Sequence, residues 1–188
     1  MSPGGLPFLP ESFPSLTYIA LLTLVISASL FDLKYKRIPN PLTLSGAILG
    51  LAINGLTLWP DGILQSLLGF AIGFSLFLPG YLLGMTGGGD LKLMAAVGSL
   101  LGPKLAFLAF VLYILAALIW VLVYVVYAWA RLGAELPFSR YWLMLRTLLR
   151  TGQLAYLKPK ATEVMGQRLP MAPAIACGAL AAPLLFAA

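Results

Sequence analysis

With 188 residues, 61% of them hydrophobic and 10% charged, the chain carries less than half the charge of a water-soluble domain, in which about 25% of residues are charged. It reads as a polytopic membrane protein of one domain. It has no histidine and a single cysteine, Cys177, within an apolar segment. These counts exclude Ser–His and Cys–His nucleophile pairs, histidine metal sites, cysteine zinc clusters and a disulfide framework within the chain.

In chain order, Met1 to Ser15 holds four prolines and no Lys or Arg, so it is an irregular arm on the outer face and not a secretory signal. Leu16 to Phe31 is the first membrane helix, slightly short at about 16 residues. A charged island follows, Asp32-Leu33-Lys34-Tyr35-Lys36-Arg37-Ile38-Pro39-Asn40. Asn40 and Pro41 read as an N-cap and a proline at the first helical position, opening a second helix from Leu42 to Trp59. Pro60-Asp61-Gly62 is a tight turn. The third helix, Ile63 to Gly84, contains Pro79-Gly80 as a kink.

Gly87-Gly88-Gly89-Asp90-Leu91-Lys92 then interrupts the apolar sequence with three glycines and two charges. Leu91 to Leu101 is apolar but rises only about 17 Å, against a hydrocarbon core of about 30 Å. Either Pro103 kinks a longer segment, or Asp90 sits below the membrane surface in a protein-lined cleft. We take the second as the expectation, because irregular backbone at depth is tolerated where it lines a cavity.

Leu105 to Ala130 is a long fifth helix. The connection from Arg131 to Arg168 contains an amphipathic stretch, Phe138 to Leu149, suited to lying on lipid headgroups. The last helix, Leu169 to Phe186, is rich in Ala and Gly, as close packing in lipid requires.

Charge counting fixes the orientation. Lys34, Lys36, Arg37, Lys92, Arg131, Arg140, Arg146, Arg150, Lys158, Lys160 and Arg168 fall on one face, and Lys104 alone on the other. Such an asymmetry marks the first face as cytoplasmic. The expected architecture is all-α: a bundle of six transmembrane helices, both termini outside, both charged islands inside. The formal net charge of +6 is thereby explained by topology, without nucleic acid as a partner.

Of six acidic residues, only Asp32 and Asp90 lie at helix ends on one membrane face with apolar flanks. A charge at membrane depth is costly and marks a candidate functional site. Two carboxylates brought together in low dielectric share a proton. One then activates water and the other donates to a substrate carbonyl, with no metal, cofactor or histidine. Blander readings stand beside this one. Asp32 could form an i,i+4 ion pair with Lys36, Asp90 could be an N-cap, and the glycine run a flexible turn. Lys92 reads as an interfacial anchor or as a group orienting Asp90 or a substrate carbonyl. Asp61, Glu135 and Glu163 read as turn or solvated residues.

The pairing of Asp32…Lys36-Arg37-Ile38-Pro39-Asn40-Pro41-Leu42-Thr43 with Gly87-Gly88-Gly89-Asp90-Leu91-Lys92-Leu93-Met94-Ala95-Ala96 resembles the type IV prepilin peptidase family, membrane aspartyl proteases of the GxGD type. The likeness covers Ser15 to Gly102 and, more loosely, Pro170 to Gly178. It implies that Asp32 and Asp90 are the catalytic pair and Gly87 and Gly89 the motif glycines. Lys36, Pro39, Asn40 and Lys92 are taken with them as motif or substrate-positioning residues.

The resemblance further implies cleavage of a short basic leader from prepilin or pseudopilin precursors, ahead of a hydrophobic helix and commonly after a glycine. The site would face the cytoplasm from the bacterial inner membrane. Larger members add a cytoplasmic methyltransferase domain with paired cysteines; the length and single cysteine of this chain match the short, protease-only branch. Two other classes compete: a small proton-coupled transporter using Asp32 and Asp90 as a relay, and a pilin assembly factor that does not cut. The first requires carboxylates reachable from both faces; the second tolerates loss of either.

Overall fold

The computed structural model describes residues 15–84, 86–132, 138–151 and 169–187. Among them the regular structure is entirely helical: α1 (Ser15–Tyr35), α2 (Asn40–Thr57), α3 (Asp61–Leu82), α4 (Gly88–Leu132), α5 (Phe138–Thr151) and α6 (Ala172–Ala187). The arm before Ser15 and most of the connection between α5 and α6 lie outside the described residues, as do Glu135 and Glu163. α1, α3 and residues Gly88–Tyr127 of α4 are long and apolar enough to cross a membrane, and Ala172–Phe186 is a shorter apolar helix. Their outer faces display Leu16, Ile19, Leu30, Leu64 and Leu67 to the surroundings. Lipid is the solvent for which such a surface is suited.

The described residues of Met1–Ala117 and Pro170–Ala188 form one compact unit, and those of Leu118–Leu169 a second. In the first unit α1 packs against α2 and α6, and α2 against α3. Its centre is the first half of α4. Leu93, Met94, Ala96 and Val97 are completely buried, because this segment is apolar on every face and a helix of that kind must be surrounded. Glycines allow α3 to lie against it. Gly69 meets the Gly98 carbonyl and Gly73 the Met94 carbonyl so closely that a Cβ at either position would collide with backbone.

These contacts define an antiparallel crossing, and they show what happens at Gly102. α4 is broken there by a residue with φ 77° and ψ 175°, a left-handed conformation that glycine adopts without a Cβ clash. Gly69 also abuts Gly102, while Phe77, two turns along α3 toward the Asp90 end, packs on Tyr113 with ring centroids 4.9 Å apart and planes tilted by 38°. A straight continuation past Gly102 would carry Tyr113 about 16 Å in the opposite direction. The chain therefore folds back, and residues 88–101 and 103–113 run antiparallel. The irregular residue is Gly102, with Pro103 opening the second half.

Ending a helix among apolar neighbours strands its last carbonyls. Pro103 has no N–H to offer Ser99, and the break removes the donor for Leu100. Asn54 of α2 replaces both, its Nδ2 donating to the Ser99 carbonyl at 3.0 Å and the Leu100 carbonyl at 3.2 Å. Ser66 of α3 donates a further bond to Ser99 O at 2.7 Å. The Ser99 hydroxyl donates to the Ala47 carbonyl at 2.9 Å.

Helix boundaries differ from the sequence reading in ways that affect the site. α1 continues to Tyr35, so Asp32 lies in its last turn. Pro39, with φ −63° and ψ 133°, occupies the cap position of α2, and Asn40 is the first helical residue. Asp61 opens α3 from its first turn, where a carboxylate opposes the positive end of the helix dipole. α5 presents Trp142, Leu145 and Leu149 to the surroundings, with Arg146 and Arg150 also exposed.

Candidate active site

Four stretches of the first unit converge around the two aspartates: the end of α1, the start of α2, the first turn of α4 and the start of α6. Asp32 is 6% exposed, and its Oδ2 accepts a hydrogen bond at 3.0 Å from the backbone N–H of Ala172. That N–H is one of the donors a helix leaves unpaired in its first turn, and the helix dipole adds favourable potential there. Lys36, the ion-pair partner considered from spacing, instead lies exposed just past the helix end with φ 52°. Its N–H closes α1 on the Asp32 carbonyl at 2.8 Å. The buried contact of the Asp32 carboxylate is thus α6.

Asp90 is half-buried in the first turn of α4. Gly87 occupies the cap position: its carbonyl accepts from the N–H of Asp90 at 3.1 Å and of Leu91 at 3.3 Å. The Asp90 Oδ2 in turn accepts from the Gly87 N–H at 3.2 Å. The carboxylate reaching back to the cap N–H is the acidic half of a capping box, with Asp90 at the third helical position; glycine has no side chain to supply the other half. Asp90 is therefore not itself the N-cap; the glycine is. The arrangement turns one carboxylate oxygen toward the loop and fixes the side chain over the helix start.

The two charged islands interlock at two further points. Ile38 is buried, and a Cβ on Gly89 would stand 3.2 Å from the Ile38 Cβ, so the absent side chain is what admits Ile38. The Nζ of exposed Lys92 donates to Asn40 Oδ1 at 2.9 Å. Pro39 is half-buried, and its carbonyl accepts from the N–H of Leu42 and Thr43. The Asp32 and Asp90 carboxylates lie within electrostatic reach of each other. Asp32, Asp90, Gly87, Gly89, Asn40 and Lys92 are thus gathered in one place, while Lys36 stays at its rim.

Sequence reasoning misses Ile38 and Ala172 at this site. Ile38 is visible as an apolar residue inside a charged island. The Ala172 backbone donor carries no sequence signal, since it depends on the return of a distant helix. Among the described residues no group of three or more His, Cys, Asp or Glu comes together as a metal would need.

Fold and site define a helical membrane protein with a paired-carboxylate centre at the junction of its helix ends. The chain belongs to the type IV leader peptidase family, whose model matches residues 19–122, a span that includes both aspartates. It is similar to the prepilin leader peptidase/N-methyltransferase of Bacillus subtilis (strain 168), at 29% identity over 175 residues. That match takes in 92% of this chain and 55% of the relative, so the chain spans about half the length of the curated protein it matches. No solved structure matches it.

Proposed function

We propose that this chain is a membrane aspartyl endopeptidase that removes the short basic leader of type IV prepilin-like precursors at the cytoplasmic face of a bacterial inner membrane. The observation that carries the reading is that Asp32 and Asp90 lie within electrostatic reach of each other, Asp32 held by the N–H of distant Ala172 and Asp90 by that of Gly87 at the start of its own helix. Family membership supports the reaction and the substrate class. The eleven-to-one division of Lys and Arg supports six crossings with the site on the inner side.

In this reading a water molecule between the carboxylates adds to the scissile carbonyl. It loses a proton to one carboxylate while the other donates its proton to the carbonyl oxygen. The resulting diol collapses, the C–N bond breaks, and the departing nitrogen takes up a proton. The precursor's hydrophobic helix lies in lipid beside the bundle, which delivers the peptide bond ahead of that helix to the aspartates. Proximity of this kind replaces a deep soluble-protease cleft.

The test is purified protein in proteoliposomes with a prepilin precursor, the product read by intact mass. The reading expects a shortened pilin whose mass loss equals the leader and whose new N-terminus begins at the hydrophobic helix. A precursor left intact by well-folded protein, across several pilin types, would count for the transporter or assembly readings.

A further inference from the structure

We propose that Tyr113 is a third catalytic residue, its phenol O–H donating a hydrogen bond to the scissile carbonyl oxygen of the peptide bound at Asp32 and Asp90. This rests on the peptidase reading above and adds a residue to it.

The placement follows from the fold-back at Gly102. α3 crosses residues 88–101 antiparallel, with Gly69 on Gly98 and Gly73 on Met94. One turn further along, Phe77 stands level with Asp90. Tyr113 returns to this level from the second half of α4, its ring 4.9 Å from Phe77 and 6.1 Å from Phe110 between centroids. α6 supports it from behind. Gly178 packs so tightly on the Tyr113 backbone that a Cβ would lie 2.6 Å from its nitrogen. α6 also supplies the N–H that holds Asp32. The same helix therefore fixes Tyr113 and one of the two carboxylates, while the Asp90 charge lies within electrostatic reach of the phenol.

The ring of Tyr113 is buried at 9% exposure, whereas its hydroxyl is not among the enclosed oxygens and makes no hydrogen bond among the described residues. A tyrosine held by its ring with an open tip is free to donate its O–H to a group that enters beside it. Here that group is the substrate. The chemistry also leaves room for such a donor. As water adds, negative charge grows on the carbonyl oxygen, and the carboxylates contribute a single proton to it. Lys92, the nearest cation in sequence to Asp90, is engaged with Asn40. A neutral donor held by packing stabilises the developing charge without adding a cation to a low-dielectric site. The phenol keeps its proton throughout, so the atom and proton balance of hydrolysis is unchanged.

The experiment compares wild type, Tyr113→Phe and Tyr113→Leu in detergent micelles with a prepilin precursor, measuring kcat and KM separately alongside thermal unfolding. Tyr113→Phe keeps the ring contacts and removes only the hydroxyl. We expect its kcat to fall about 100-fold, with KM and unfolding temperature unchanged, because the bond strengthens in the transition state. A kcat within tenfold of wild type, or a loss confined to KM, overturns the assignment. If Tyr113→Leu is impaired while Tyr113→Phe is not, the residue serves packing alone and the assignment is likewise overturned. Wild type that cuts no precursor overturns the peptidase reading itself, a result distinct from either.

Discussion

The carboxylate of Asp32 at the end of α1 and the backbone N–H of Ala172 at the start of α6 meet at 3.0 Å, although 140 residues separate them. The bond is buried, so each partner depends on the other for satisfaction. It also explains why the last helix belongs to the site: it is the wall against which the first aspartate is set.

Replacing Asp32 by alanine leaves that N–H without an acceptor, a loss of about 1–3 kcal/mol. Asp32→Asn keeps an oxygen in place and should fold nearly as well as wild type. Thermal unfolding in detergent is the check: the alanine variant melts lower and the asparagine variant close to wild type. Equal melting of the two would show that the bond contributes nothing.

Asn54 carries a second structural prediction. Its amide serves the Ser99 and Leu100 carbonyls at the end of the helix that bears Asp90. Asn54→Leu preserves volume but leaves Leu100 O unpaired among apolar neighbours, costing about 1–3 kcal/mol. Asn54→Gln retains the chemistry with a longer arm and should recover part of the loss. Abundance in membranes and unfolding temperature should both follow the order wild type, Gln, Leu.

Gly89 and Ile38 couple the two islands by contact rather than by charge. A Cβ at Gly89 presses on the Ile38 side chain at 3.2 to 3.5 Å, so Gly89→Ala shifts the Asp32 island away from Asp90. Cleavage should fall at least tenfold with little change in stability, since misplacing reacting groups by about 1 Å can cost 100-fold. The double variant Gly89→Ala, Ile38→Ala removes part of the opposing bulk and should cut faster than Gly89→Ala alone. Additive losses would place the effect elsewhere.

The apolar segments, the two charged islands and the motif glycines are legible in the sequence, because charge and glycine are conspicuous in an oily chain. The central position of residues 91–101 is not: shortness suggests depth, but only the packing of Gly69, Gly73 and Gly98 shows that α3 crosses this segment. The fold-back at Gly102 is legible, since six crossings with Lys104 alone on the outer face require the chain to reverse between residues 101 and 105. Gly102-Pro103 by itself is also compatible with a kink, and distant Phe77, packed on Tyr113, decides against it. Local propensity misplaces the cap by one residue at Asn40, whose side chain is used by Lys92 across 52 positions in a long-range bond that propensity does not register. At Asp90 the difference is one of role, since an acidic residue three places after a glycine can reach back to cap its N–H.

The central claim, that Asp32 and Asp90 act as a catalytic pair, is tested most directly by precursor cleavage in membranes. The assay uses a co-expressed prepilin and wild type, Asp32→Asn or Asp90→Asn. Asparagine keeps the shape and an acceptor oxygen while removing the titratable proton. The account predicts that wild type shortens the pilin and that either single change abolishes shortening at normal protein level. Continued cutting by either variant would contradict it, leaving that aspartate with a structural role alone.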